Sequence, residues 1–294
     1  MPAPFQVEPF AVGIGPIQIT GFGLAVLAAF GISQVVLMRE LARRGHQDHA
    51  DASPDVVLAA LVGTLVGAKL YYTALTGDLS ALWSRGGFVF WGGFMGSVLC
   101  CFLLIRYRKL VFARYADVAG IAIAAGYAVG RTGCWAVGDD YGRPWDGPLA
   151  VTFPNGAPPT TAANLTEIFG ARLPAGTAPD ALVAVHPSQL YETAMGLAMF
   201  AVLWRLRSHR HAEGWLFGVY CVLAGVERFL VEFVRAKDDR FVGPLTSAQV
   251  IALGVAAVGV VVMQVRRAPG PGRPGIYAGE ADAVERVPAT TVAA

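Results

Sequence analysis

The stretch WLFGVYCVLAGVERFLVEFV, residues 215–234, is apolar over almost its whole length and carries Arg228 and Glu232 near its end. About twenty such residues in a helix span the roughly 30 Å hydrocarbon core of a bilayer. A charge at that depth is expensive unless it faces a protein interior or a wet cavity. Arg228, Glu232 and the following Arg235 are spaced four and three apart, so on a helix they form one polar stripe. The run is therefore expected to be a membrane helix whose charged side faces other helices and whose remaining sides face lipid.

Six further runs have comparable length and character: Ile17 to Met38, Asp55 to Leu75, Phe88 to Ile105, Ala116 to Val137, Pro187 to Trp204 and Leu245 to Val265. The composition agrees, at 55% hydrophobic and 15% charged residues, with a mean hydropathy of +0.51. So little polar surface does not suit a water-soluble fold. The expected fold is all-α, a polytopic membrane helix bundle of about seven transmembrane helices, with residues 1–267 as a single transmembrane domain.

Basic residues near the run ends orient such a bundle. Arg39, Arg43 and Arg44 follow the first run, Arg106, Arg108, Lys109 and Arg114 the third, Arg205, Arg207 and Arg210 the fifth, and Arg266 and Arg267 the last. The opposite ends are poorer: none before Arg39, then Arg85, then Arg143 and Arg172. These biases predict an N-terminus outside and a C-terminus in the cytoplasm. The first fifteen residues lack Lys and Arg, unlike a cleaved secretory leader. A net charge of +2, with basic residues at membrane edges, argues against a nucleic-acid partner. Cys100, Cys101, Cys134 and Cys221 have neither metal-ligand nor disulfide-framework spacing and read as small apolar filler.

One connection is long. Residues 138–185 hold Trp145, Phe153, Leu165, Ile168 and Phe169 among prolines and glycines, which predicts a small folded cap on the outer face. Within it Thr160 to Gly170 reads as a short helix, capped by Thr160 or Thr161 and stopped by Gly170. The pairs Gly63/Gly67, Gly92/Gly96 and Gly126/Gly130 allow close helix approach. Residues 268–294, opening with the Pro- and Gly-rich APGPGRPG, are expected to be a disordered cytoplasmic tail.

Polar residues gather in three places. The first is GRTGCWAVGDDYGR, residues 130–143, where glycines allow the backbone to turn beside Arg131, a combination suited to phosphate. The second is HPSQLYE, residues 186–192, with Pro187 in the first turn of a helix and Gln189 and Glu192 on one face. The third is the Arg228 stripe. Plainer roles exist for each: a solvated turn for Asp139 and Asp140, a helix cap for His186, a packing ion pair for Arg228 and Glu232. Lys69, inside the second run, either snorkels or joins the cavity.

Together these segments, and RFLVEFVR (228–235) followed by GPLTSAQ, resemble the prolipoprotein diacylglyceryl transferase family in order, separation and span layout. The resemblance implies a bacterial inner-membrane enzyme that moves a diacylglyceryl group from phosphatidylglycerol to the lipobox cysteine of prolipoprotein signal peptides, releasing glycerol phosphate. It calls for no metal or soluble cofactor. By resemblance Arg131 and Arg228 bind the phospholipid phosphate, Gly142 is the glycine of the loop, and Glu232 is the carboxylate of the stripe. Arg143, Gln189, Tyr191 and Glu192 complete the expected substrate-binding set, and Asp139, His186, Arg228 and Glu232 the expected catalytic set.

The chain departs from the family pattern at four positions. Phe22 stands where the family has Tyr, Trp91 where it has His, Cys134 where it has Asn, and Asp139 where it has Glu. The proton acceptor is then one of Asp139, Asp140, His186 and Glu232. Two other readings stay open: a paralogue that uses another acceptor, and a phospholipid-binding protein without catalysis.

Overall fold

The computed structural model describes residues 5–15, 17–84, 87, 89–236 and 240–277. Arg85 and residues 278–294 of the expected tail lie outside them. Eight α-helices are described: α1 (Gly21–Arg43), α2 (Gln47–Thr76), α3 (Phe90–Tyr107), α4 (Phe112–Val137), α5 (Ala162–Glu167), α6 (Ser188–Leu206), α7 (Trp215–Val231) and α8 (Ser247–Val265). Helices occupy all seven apolar runs, and α1, α2, α3 and α8 are long and apolar enough to cross a membrane by length and composition. Only 11% to 22% of those four apolar stretches is buried inside the protein. Their outward Leu, Val and Phe side chains need an apolar surround, which makes this a helical membrane protein.

Short strands modify the all-helical expectation. β1 (Phe5–Gln6) pairs in parallel with β4 (Val151–Thr152). β2 (Ala11–Ile14) pairs antiparallel with β3 (Ile17–Thr20), and β5 (Arg240–Val242) with β6 (Leu245–Thr246). The first run therefore starts its helix at Gly21 rather than Ile17, with the Thr20 hydroxyl accepting the Gly23 N–H at 3.1 Å as a cap. The last begins at Ser247 on a reciprocal cap: Thr246 Oγ1 accepts from Gln249 N at 3.2 Å, and Gln249 Oε1 accepts from Thr246 N at 3.1 Å. The TSAQ of the sequence is that device.

The chain divides into two compact units. One comprises Met1–Ile32, Gly120–Arg207 and Leu216–Val265. Within it the long connection has its own apolar cluster of Val7, Tyr141, Val151, Phe153, Leu165 and Val185, with Trp135 and Phe169 packed against it. Full burial of side chains such as Phe153 and Leu165 stabilises by about 1.5–3 kcal/mol each. Thr161, which accepts the Asn164 N–H at 3.3 Å, is the cap of α5. Helix α7 ends at Val231, short of the expected Val234, because the Val234 carbonyl accepts the Arg143 N–H at 2.8 Å. Arg235 thus sits past the helix, bridged to Gly142.

The other unit comprises Ser33–Ala119, Ser208–Trp215 and Arg266–Ala294. Here α2 and α3 meet backbone to backbone: a Cβ added at Gly63, Gly67, Gly92 or Gly96 would collide with the facing helix. The pair Gly126/Gly130 differs, since the nearest atom to a Cβ on Gly130 is 4.0 Å away, on Ala29. The Lys69 ammonium donates to Ser84 O at 2.7 Å and Ser84 Oγ at 3.0 Å.

The same unit contains a buried charge cluster. Arg44 Nη1 donates to Asp117 Oδ2 at 2.6 Å, and its Nε donates to Glu40 Oε1 at 3.1 Å. Asp117 also lies 3.0 Å from His209 Nε2 and accepts the Gly214 N–H at 3.0 Å. Glu213 pairs with Arg114 at 2.9 Å and His46 at 3.1 Å. Arg44, read from sequence as a loop charge, is 1% exposed. The described part of the tail is held to this cluster, with the Glu213 N–H donating to Pro274 O at 3.0 Å and Ile276 buried. Ile276 gives this part of the tail an apolar anchor in the unit.

Candidate functional site

The candidate site lies in the first unit and is built on α4, α6, α7 and the loop after α4. That loop is fixed before any of its charges act. Ser188 Oγ donates to Asp140 O at 2.6 Å, and Gln189 Nε2 donates to Asp139 O at 2.6 Å. Gly142 donates its N–H to His186 O at 2.9 Å. A Cβ on Gly142 would fall 2.5 Å from Val234 O and 2.6 Å from His186 Cβ, so only glycine lets the three strands of chain meet. HPSQLYE is thus partly a clamp: Ser188 and Gln189, both fully buried, hold the loop rather than face solvent.

Onto this frame the fold brings three arginines and three carboxylates. Arg131 donates Nη1 to Asp140 Oδ2 at 3.0 Å and Nη2 to Glu192 Oε2. Arg228 Nη2 lies 2.5 Å from Glu232 Oε2, an ion pair by distance whose angle does not make a hydrogen bond. Arg235 is 3.7 Å from Asp140 and 3.9 Å from Glu232. Glu192 and Glu232 are nearly buried, whereas Arg228, Arg235 and the Asp140 side chain keep 32%, 26% and 46% exposure. Arg228 and Arg235 are partly accessible, Arg131 is 12% exposed, and two of the three carboxylates lie buried behind them. Such a surface can exchange its carboxylate partners for an incoming anion.

Asp139 stands beside Cys134, whose Sγ is 3.3 Å from Arg131 Nη1. Burial, joined by repulsion from Asp140, raises the Asp139 carboxyl above its ordinary value, against the pull of the Cys134 contact. Its Oδ1 is buried without a hydrogen-bond partner. Burial also acts on Asp140, but Arg235 and Arg131 outweigh it and hold that carboxyl below the usual range. Ligand atoms of Cys134, Asp139 and Asp140 lie within 4.8 Å of one another. A cation there would meet the guanidinium of Arg131 within hydrogen-bond distance of two of the three, which disfavours a metal.

The remaining expected residues fall elsewhere. His186 stacks on Trp145 with centroids 4.3 Å apart, and its Nδ1 is 3.4 Å from the Tyr191 hydroxyl. Burial, with Arg143, lowers the His186 pKa, so the ring is neutral at pH 7. Arg143 is exposed and contributes its backbone to the frame. In the other unit Trp91 packs edge-on against Phe90 and Phe94.

Two residues escaped the sequence reading. Tyr127, one turn before Arg131, donates toward Glu227 Oε1 at 2.8 Å and Glu192 Oε1 at 3.3 Å. Glu227 is 7% exposed in the middle of an apolar run. The rule that an intramembrane carboxylate marks a function would have flagged it.

Comparison with known proteins gives the family. The profile of the family described as prolipoprotein diacylglyceryl transferase matches residues 9–265. The phosphatidylglycerol–prolipoprotein diacylglyceryl transferase of Xanthomonas axonopodis pv. citri (strain 306) is 33% identical over 282 residues, covering 90% of this chain and 93% of that protein. The protein of the same name from Stenotrophomonas maltophilia (strain R551-3) is 32% identical over 285 residues, covering 90% and 94%. With its fold, its paired charges and this match over nearly the whole length, the chain belongs to the prolipoprotein diacylglyceryl transferase family.

Proposed function

We propose that this protein transfers a diacylglyceryl group from phosphatidylglycerol to the lipobox cysteine of prolipoprotein signal peptides in a bacterial inner membrane. The observation that carries the reading is the cluster of Arg131, Arg228 and Arg235, three guanidiniums paired to carboxylates they can exchange. The chain crosses the membrane seven times, with the N-terminus and the 138–185 cap periplasmic and the C-terminus cytoplasmic, a reading that the distribution of basic residues supports.

In the reaction the lipobox sulfur forms a bond to a glyceryl carbon as the bond from that carbon to the phosphate oxygen breaks. Arg131 and Arg228 hold the phosphate and stabilise the charge that grows on it. The thiol proton goes to Asp139, a carboxylate whose raised affinity for protons suits a base. Glycerol phosphate leaves. Gly142, Gln189 and His186 keep the loop of Asp139 in place, and Arg143 and Tyr191 are the further substrate-binding residues. A groove of about 420 Å³ lined by Phe22, Leu24, Val26 and Leu27 offers an apolar bed for an acyl chain. The backbone at Phe22 packs 3.2 Å from a Cβ position on Gly133, two residues from Arg131.

The test is release of glycerol phosphate from phosphatidylglycerol by the purified protein, with and without a lipobox peptide. Release that requires the peptide, with the lipid recovered on its cysteine, is expected. Release without the peptide would replace this reading with a different acceptor, and no release would leave a lipid binder.

A further inference from the structure

Glu227 has no role in the reaction as described, yet it is buried at membrane depth with no arginine or lysine in ion-pair range among the described residues. An unpaired buried carboxylate is costly, and the usual relief is to keep its proton. Its neighbour makes that relief specific. The Tyr127 hydroxyl has one hydrogen to donate and stands 2.8 Å from Glu227 and 3.3 Å from Glu192. If both carboxyls were ionised, one would face only oxygen lone pairs. Glu192 is fixed as an acceptor because its other oxygen takes the Arg131 guanidinium. The proton therefore belongs on Glu227: Glu227 O–H donates to Tyr127, Tyr127 O–H donates to the Glu192 carboxylate, and Glu192 accepts from Arg131 on its other oxygen.

We propose that Glu227 is a positioning residue that stores a proton for Glu192, so that Glu192 can release Arg131 when an anionic phosphate arrives. The inference rests on the proposed phosphate role of Arg131. Two O–H bonds break and two form: Glu227 gives its proton to the Tyr127 oxygen as Tyr127 gives its own to Glu192. Glu192 becomes neutral and lets go of the guanidinium, and the carboxylate charge that would have repelled the phosphate moves away to Glu227. The charged and titratable groups that act on Glu227 are Glu192 on α6, Arg228 on its own helix, and Tyr127 and Arg131 on α4; it acts in turn on Tyr220 of α7. Helix α8, which packs on α7 at Gly225, carries no ionisable side chain. Glu192, the other end of the chain, is faced in addition by Asp140 and Arg235, from the loop after α4 and the segment past the end of α7.

The experiment is infrared spectroscopy of the full protein in nanodiscs, with and without phosphatidylglycerol, alongside lipid binding across pH. The native protein is expected to show the carbonyl stretch of a buried carboxylic acid, changed by phosphatidylglycerol and not by phosphatidylcholine. Glu227→Gln should lose that band, bind phosphatidylglycerol roughly tenfold more weakly, the scale of one pKa unit, and flatten the pH dependence of binding. Tyr127→Phe keeps the ring and cuts the chain, so it should retain the band but lose its response to lipid. A native spectrum with no band that Glu227→Gln removes overturns the proposal, as does native-like binding by folded Tyr127→Phe. A native protein with the lipid-responsive band and no transfer to peptide sustains the proton store and overturns the transferase reading instead.

Discussion

The two units each contain a cluster of arginines and carboxylates, built from the same residue types and finished differently. Around Asp117 the pairs are closed: Arg44, Asp117, Glu40 and Glu213 are all 2% exposed or less, and a backbone N–H completes Asp117. Around Arg131 they are left open, with Arg228 and Arg235 partly exposed and one misaligned ion pair, while buried oxygens without a hydrogen bond occur in both clusters, on Glu213 in the first and on Asp139 and Glu232 in the second. A closed cluster is worth its desolvation only as architecture. An open one retains unspent bonding capacity, and that capacity is what a substrate uses.

The comparison breaks most sharply at Arg131. Arg131→Lys keeps the charge and loses the fork that reaches Asp140 and Glu192 together, so transfer to a lipobox peptide should fall by two orders of magnitude or about that, with folded yield unchanged. Arg44→Ala should do the reverse: it removes the guanidinium that pairs with buried Asp117 and one of the two that pair with Glu40, costing about 3–5 kcal/mol and most of the folded protein in a detergent thermal scan. Equal yields for the two variants would erase the distinction between the clusters.

Asp139→Asn tests the open cluster by pH. The folded carboxyl binds its proton more tightly than the unfolded one, so below the unfolded pKa it costs nothing. As pH rises toward the folded value the ionised form destabilises the protein. The asparagine variant should therefore be slightly more stable than native at neutral pH, equal to it in acid, and inactive at both. Asp140 has the opposite sign: its stabilisation is present above the unfolded pKa and is lost as pH falls through the lower folded value. Asp140→Asn should cost stability at neutral pH and little in acid. The smallest effect is expected at Trp91→His, which should leave transfer by the native protein within a factor of about two, since surface substitutions commonly change little.

The spans were legible because apolar length is a local property; each run can be read alone. Their ends were not. Ile17–Thr20 was absorbed into the first run because its pairing with Ala11–Ile14 depends on backbone bonds that hydropathy does not register. Val234 was kept in α7 because the N–H that takes its carbonyl comes from Arg143, some ninety residues earlier. The arginines of the site were visible as costly charges, but sequence presented Arg131 as free for phosphate, whereas Glu192 and Asp140 already hold it. Glu227 was overlooked beside Arg228, since its partner Tyr127 is 100 residues away.

The glycine contact between α2 and α3 bears on how the chain is made. These helices are neighbours in sequence, and their surfaces fit without any later segment, so the pair can assemble while the ribosome is still translating. The site has no such independence. Arg131 waits 61 residues for Glu192, and Tyr127 waits 100 for Glu227. A nascent chain stalled before α6 would hold a settled helical hairpin and, on α4, an Arg131 without Glu192 and a Tyr127 without Glu227, an inert precursor that gains chemistry only with about its last hundred residues.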